Sequence, residues 1–357
     1  KPMKHQKTTA GFLTLHRRAF VFNEPGTAKT ISALWAADYL MQRGEVRRVL
    51  VVCPLSIMQS AWMGDINRSV IHRSAVVAHH VQASRRIELI QGDYEIVIIN
   101  YDGLNLCADE IRADGRFDLI IVDEANGYSN AQTKRWKSLA KIIQPHTFLW
   151  MMTGTPAAQS PLNAYGVAKL VSPTAVPGYF TGWRDKVMNK ITTFKWAPKP
   201  GAKDLVFSVL QPAIRFTKAQ CLDLPPVVKQ TREVSLTAQQ LKYYRLIKDQ
   251  MLAVAAGESI SAVNKAAVVS KLLQISAGAA LTDDKDVVEF DATPRLNVLL
   301  EVLEETQRKV IIFALFRASI DVISTFLKKH GIATEEIHGG VTATKRGDII
   351  QRFQNAQ

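Results

Sequence analysis

Four short runs of almost purely apolar residues, Val49–Cys53, Ile96–Asn100, Leu119–Val122 and Phe148–Met152, constrain this chain more than any other feature. A strand that is apolar at every position must be covered on both faces, and that happens in parallel sheets whose crossover helices pack above and below. The gaps between the runs carry amphipathic segments of helical length, of which Thr30–Gln42, Ser84–Gln91 and Lys134–Ile142 are the clearest. A further run at Ala19–Phe22 precedes the first of these helices. The alternation predicts one doubly wound α/β domain over residues 1–157.

Beyond residue 157 the pattern changes. Pro173, Pro177, Pro198, Pro200, Pro212, Pro225 and Pro226 interrupt the chain, and Val206–Phe216 is the one long apolar stretch. Two helices are expected at Thr237–Ala255 and Ser261–Ala277, so residues 158–293 read as a helical, loop-rich insertion. Alternation then resumes with helix Pro294–Thr306, strand Val310–Leu315, helix Ala318–His330, strand Glu335–His338 and helix Ala343–Gln354. Residues 294–357 therefore look like the start of a second parallel-sheet unit, too short for a doubly wound domain of about 100–150 residues. On this reading the second unit is truncated.

In a chain of 357 residues, 45 Lys and Arg against 32 Asp and Glu give a net charge of +13, which suits an anionic partner without specifying one. Cys53, Cys107 and Cys221 are too far apart and too few for a disulfide framework or a zinc site. No apolar run approaches the ~20 residues that span a bilayer, and Lys1–Lys7 is not followed by a signal-peptide core. A soluble intracellular protein without a membrane partner is expected. His79, His80 and His338 have no metal-ligand spacing.

Three motifs carry chemistry. Asn23-Glu24-Pro25-Gly26-Thr27-Ala28-Lys29-Thr30 lies between a strand and a helix, where backbone N–H groups can face phosphates, Lys29 can reach the outer ones and Thr30 can bind Mg²⁺. Gly26, Thr27 and Ala28 complete the cradle. Ala28 stands where such loops have a glycine, and Asn23 where their longer form begins with one. Next, Asp123-Glu124 ends an apolar strand, placing carboxylates at the sheet edge where ligands of such folds bind. Asp123 can hold Mg²⁺, and Glu124 can orient and deprotonate an attacking water. Last, Thr153-Gly154-Thr155-Pro156 ends another strand, where hydroxyls could sense the γ-phosphate.

The order of these motifs resembles the superfamily 2 helicases and translocases. Several stretches point to the Swi/Snf-type group within them. Val51-Val52-Cys53-Pro54-Leu55-Ser56-Ile57-Met58 with Trp62, and Ile98-Ile99-Asn100-Tyr101, are similar to its two DNA-side segments. Phe216-Thr217-Lys218, Leu224-Pro225-Pro226, Ser235-Leu236-Thr237 and Gln240 to Tyr244 resemble its crossing between lobes. Thr293-Pro294-Arg295-Leu296, Val310-Ile311-Ile312-Phe313 and Ile337-His338-Gly339-Gly340, with Arg346 and Phe353, resemble its second lobe.

The resemblance implies RecA-like sheets with helices on both faces, in two lobes, the second incomplete, separated by a helical insertion. It implies an ATP- and Mg²⁺-dependent motor on mainly double-stranded DNA. Gln6 would read adenine; Thr153, Gly154 and Thr155 would couple the lobes; Pro54, Ser56, Tyr101, His338 and Gly339 would contact DNA. Single-stranded or forked DNA is the alternative substrate, and a strand-separating helicase or restriction-system motor subunit the alternative motor. Three departures matter: Ala28 for Gly, Asn126 where the group usually has His, and an end before the remaining second-lobe motifs, including the Arg that reaches the γ-phosphate. The first two raise a reading from another class, a nucleotide-gated DNA-binding protein with weak or no hydrolysis. The third implies a partner protein or a missing C-terminal half, since such an arginine can contribute roughly 10³–10⁵ in rate. A metabolic kinase would leave the Thr-Gly-Thr-Pro segment unexplained. The basic groups Lys134, Arg135 and Lys137, and Lys186, Lys190, Lys195 and Lys199, read as solvated surface or phosphate tracks. The resemblance points to a compact bacterial or phage source, hence a cytoplasmic location, or a nuclear one in a eukaryote.

Overall fold

The computed structural model describes residues 2–157, 159–193, 195–257, 262–282, 286–306 and 308–355. It divides into two compact units, Lys1–Pro226 and Val227–Gln357. The stretch 158–293, expected as one insertion, is thus shared between both units.

The first unit runs α1 (Lys4–Leu15), β1 (Arg18–Val21), α2 (Lys29–Gln42), β2 (Val49–Cys53), α3 (Gly64–Ser69), β3 (Ala75–Val77), α4 (Ala83–Gln91), β4 (Ile96–Asn100), α5 (Tyr101–Asp114), β5 (Leu119–Asp123), α6 (Lys134–Ile142) and β6 (Phe148–Met152). It continues through α7 (Ala164–Val171), α8 (Phe180–Val187), a small antiparallel ribbon of β7 (Met188–Lys190) and β8 (Trp196–Pro198), α9 (Ala202–Val209), β9 (Ala213–Ile214) and α10 (Lys218–Cys221). The main sheet has the order β3-β4-β2-β5-β6-β1-β9, and every neighbouring pair is parallel.

The apolar runs form the buried centre of this sheet because their alternate residues feed two separate cores. Val49, Val51, Ile96, Ile98, Leu119, Ile121, Trp150 and Met152 face Leu13 of α1, the small residues Ala33, Ala36 and Ala37 of α2, and Trp62 and Ile66. Leu50, Val52, Val97, Ile99, Ile120, Val122, Leu149 and Met151 face α5 through α8. Helices cover both faces, as the period of the pattern requires. The apolar stretch Val206–Phe216 is not one element. It ends α9 and then supplies β9, which extends the main sheet beside β1 through Phe20↔Ala213 and Val21↔Ile214. Backbone pairing thus draws residues beyond 158 into the first unit.

The second unit contains α11 (Ala238–Gly257), α12 (Ala262–Ser276), the antiparallel ribbon β10 (Ala279–Leu281) with β11 (Val287–Glu289), α13 (Thr293–Glu304), α14 (Arg317–Lys329) and α15 (Ala343–Asn355). Residue 261, where α12 is expected to start, lies outside the described residues. Ile275, Ala280 and Phe290 form its small buried cluster, against which Tyr244 and Ile247 pack. The helices stand close to their expected spans, whereas the strands expected at 310–315 and 335–338 do not form. Among the described residues neither segment pairs into a ladder, and Phe313 is 92% exposed. A strand exists only through its neighbours, and these two pair with none. Among the described residues no helix is long and apolar enough to cross a membrane.

Candidate active site

Sheet register brings the three motifs together. Val21 of β1 pairs with Met152 of β6, and Met152 pairs with Asp123 of β5. The three adjacent strands therefore end at one level, and their next residues leave from one carboxyl edge. That edge is where ligands of open α/β sheets bind.

The loop after β1 turns into α2 through two left-handed residues, Gly26 (φ 86°) and Ala28 (φ 57°, ψ 47°). Ala28 pays a backbone cost that a glycine would avoid, yet it holds the conformation that aims the first N–H groups of α2 at the loop mouth. Among the described residues only one other non-glycine has positive φ. It is Glu124 (φ 51°, ψ 51°), the residue expected to activate water. Among the described residues, the non-glycine positions with left-handed backbone thus fall in the two loops of one site, a distribution characteristic of functional centres.

Asn23 explains why the loop does not open with a glycine. Fully buried, its amide donates to Thr9 Oγ1 (2.9 Å) and its carbonyl oxygen accepts from the Phe216 N–H (2.9 Å). It fastens the loop to α1 on one side and to the segment after β9 on the other. Glu24 adds to this clamp, its carboxylate accepting from Lys218 N–H at 2.9 Å. His5 Nε2 lies 3.0 Å from the carbonyl of Thr27, and Thr27 Oγ1 donates to the Glu24 carbonyl at 2.8 Å. Gln6 Oε1 accepts from Met3 N–H at 2.8 Å.

Lys29 Nζ donates to the Asn23 carbonyl (2.9 Å) and spans the loop from the inside. Burial lowers its pKa, while the nearby Asp123 and Glu124 carboxylates oppose that fall. Asp123, 7% exposed, has its pKa raised by burial. Two hydrogen bonds pull in the other direction, from the Trp62 indole N–H to Oδ2 (3.1 Å) and from the Glu124 N–H to Oδ1 (3.0 Å). An ammonium, a helix N-terminus, the Thr30 hydroxyl and a buried carboxylate form a donor set suited to a nucleoside triphosphate with Mg²⁺. Among the described residues no group of three or more His, Cys, Asp or Glu side chains converges as an all-protein metal site.

Thr153 is anchored by its N–H to the Val21 carbonyl (3.0 Å), and its hydroxyl accepts from Thr155 N–H (3.2 Å). Gly154 is a glycine for a steric reason, since a Cβ there would stand 2.7 Å from Cδ of Pro25 in the phosphate loop. The first and third motifs are therefore in direct contact. Thr155 is exposed beside them. Asn126 lies exposed in a short 3-10 turn over Ala125–Tyr128.

The expected DNA-side residues divide between the units. Pro54 and Ser56 follow β2 and Tyr101 follows β4, all leaving the same carboxyl edge as the site. Ser56 is exposed, but the Tyr101 hydroxyl turns inward and donates to the Asp123 carbonyl (2.6 Å) and the Glu124 carbonyl (3.3 Å). Burial raises the Tyr101 phenol well above its ordinary pKa, so it remains a donor. His338 and Gly339 belong to the second unit, where His338 Nδ1 accepts from Gly340 N–H at 3.1 Å. Of the basic groups, Arg135 lies over the Tyr101 ring, its guanidinium 4.4 Å from the centroid, and Lys199 donates to the Asp185 carbonyl at 2.6 Å.

Three contacts lay beyond sequence reasoning: Trp62 on Asp123, Tyr101 on the Asp123-Glu124 backbone, and the Asn23 clamp. Each joins residues that only the fold brings together. Trp62 is buried in the core, and the motif order offers no signal of its indole bond.

The fold and the edge-of-sheet site define a nucleotide-binding α/β protein of RecA-like architecture. Residues 5–278 match the SNF2-related domain family, and residues 294–357 match the helicase conserved C-terminal domain. This chain belongs to the SNF2-related domain family. It is 24% identical, over 94% of its length and 42% of the relative's, to the SWI/SNF-related matrix-associated actin-dependent regulator of chromatin subfamily A-like protein 1 of Drosophila melanogaster. It is 26% identical, over 79% of its length and 65% of the relative's, to the putative protein p41 of Acyrthosiphon pisum secondary endosymbiont phage 1. The chain therefore spans between about two-fifths and two-thirds of these relatives. Its fold matches the Sulfolobus solfataricus SWI2/SNF2 ATPase core, solved in complex with dsDNA, with a TM-score of 0.56 at 20% identity, over 99% of this chain and 76% of the other.

Proposed function

We propose that this chain is the ATP-driven motor of a DNA translocase acting on duplex DNA. The observation that carries the reading is the register Val21↔Met152↔Asp123, which delivers a phosphate loop, an Asp-Glu pair and a Thr-Gly-Thr segment to one edge of one sheet. Family membership supports hydrolysis coupled to a mechanical step. The dsDNA held by the Sulfolobus solfataricus relative supports the choice of track.

In the mechanism, the α2 N-terminus and Lys29 bind the phosphates of ATP, and Gln6 presents its amide to the adenine. Thr30 and Asp123 would hold Mg²⁺, which when bound supplies positive charge against the phosphate oxygens. Glu124 accepts a proton from the water aimed at the γ-phosphorus, and its left-handed backbone fixes where that carboxylate can reach. Loss of the γ-phosphate is felt first by the loop it contacts. Gly154 lies so close to Pro25 of that loop that a Cβ would stand 2.7 Å from its Cδ, so Thr153 and Thr155 are placed to receive the change. Pro54 and Ser56, on the same sheet edge, meet the DNA backbone, and His338 and Gly339 serve the same role from the second unit.

Displacement of a third strand from a triplex reports movement along duplex. ATP-dependent displacement, abolished by Lys29→Ala in a folded protein, is the expected outcome. ATP turnover without displacement would overturn translocation, and release of a strand from a fork would favour the helicase reading.

A further inference from the structure

Tyr101 is placed in neither a solvent-facing nor a purely packing position. It is the first residue of α5, whose N-cap Asn100 accepts from Gly103 N–H at 3.2 Å, so the start of the helix fixes the ring's origin. Its hydroxyl reaches across to β5 and donates to two successive carbonyls, those of Asp123 (2.6 Å) and Glu124 (3.3 Å). Those carbonyls stand on either side of the Glu124 Cα, where the chain turns through the left-handed conformation. The ring is held on two sides, edge-on by Tyr128 with centroids 5.7 Å apart and from above by the Arg135 guanidinium. A left-handed glutamate persists only where its surroundings over-determine it, and this phenol is the side-chain group bonded to the carbonyls on both sides of that turn.

We propose that Tyr101 is a positioning residue for the water-activating Glu124, holding its strained backbone so that the carboxylate is set for proton abstraction. The inference rests on the assignment of Glu124 to hydrolysis made above. It gives Tyr101 a task other than contact with the DNA backbone. The phenol touches neither phosphate-binding group, so its loss acts on the chemical step and leaves nucleotide binding alone.

The variant that isolates the hydroxyl is Tyr101→Phe, which keeps the ring between Tyr128 and Arg135. Steady-state ATPase kinetics with saturating duplex, duplex affinity without nucleotide and the thermal midpoint are measured together on the full chain. The expected result is a kcat lower by roughly three- to tenfold, the worth of one such hydrogen bond, with the KM for ATP and the duplex Kd each within about twofold of wild type. Tyr101→Leu, which also removes the ring, should lower kcat at least as far. An unchanged kcat in Tyr101→Phe overturns the proposal, whether or not the thermal midpoint falls. A weakened duplex Kd with kcat preserved at saturating DNA also overturns it and returns Tyr101 to the DNA surface. A wild-type chain that turns over no ATP under any condition overturns the hydrolytic assignment itself, and this inference with it. Turnover by wild type with a silent Tyr101→Phe overturns the inference alone.

Discussion

Ala28 is the residue at which the phosphate loop departs from a glycine-rich pattern, and its left-handed backbone shows what that departure costs. An L-residue in this region gives up about 1–2 kcal/mol, part of which a glycine would lose again through its freer unfolded chain. Ala28→Gly should therefore stabilise the protein by about 0.5–1 kcal/mol, read as a higher urea midpoint at unchanged slope. A lower midpoint would mean that the methyl group contributes packing that outweighs the strain. Asp123 offers a second test. Burial raises its carboxyl while the Trp62 indole holds it down. A raised folded-state pKa means the carboxyl keeps its proton to higher pH than an ordinary aspartate, and only the ionised form can hold a cation. The acidic limb of kcat/KM for ATP should thus lie above the ordinary aspartate range, and Trp62→Phe, which removes the indole donor, should move it higher still. A limb unmoved by Trp62→Phe would contradict the role given to Asp123. At this scale the motifs were legible, because Lys29, Thr30, Asp123 and Glu124 sit in short contiguous patterns. The supports of those residues were not. Asn23, Trp62 and Tyr101 act on partners that the sheet brings to them from elsewhere in the chain.

Elements were legible where burial on both faces imposed an unbroken apolar run. β2, β4 and β6 match their expected spans, and β5 runs one residue further to include Asp123. The three-residue edge strand β3 and the two-residue β9 carried too few side chains to announce themselves, and the proline-rich stretch that holds β9 read as insertion. Strands at 310–315 and 335–338 were expected from the resumed alternation of apolar runs and helices, a pattern that cannot supply a pairing partner. Packing between elements yields one sharp prediction. Because a Cβ on Gly154 would stand 2.7 Å from Pro25 Cδ, Gly154→Ala should cost about 1–3 kcal/mol of stability as β6 and the phosphate loop are forced apart. Chemical denaturation measures the loss, and nucleotide affinity should fall with it. An alanine accepted without cost would show that the loop and the Thr-Gly-Thr segment can move independently, against the coupling proposed between them.

On the scale of the whole molecule, the SNF2-related match runs through the first unit into the second, whose residues 294–357 match the helicase conserved C-terminal domain, and the phosphate loop, the acidic pair and the Thr-Gly-Thr segment all lie in the first. Net charge of +13 favours encounter with a polyanion, and salt should weaken that encounter. These features make one claim, that ATP is hydrolysed at the shared edge of β1, β5 and β6 in response to duplex DNA. The steady-state ATPase rate, measured with no nucleic acid, with duplex DNA, with single-stranded DNA and with RNA, tests it most directly, with Glu124→Gln as the control. Duplex should stimulate turnover most, and Glu124→Gln should abolish it while ATP still binds. Turnover indifferent to duplex, or undiminished in Glu124→Gln, would contradict the account.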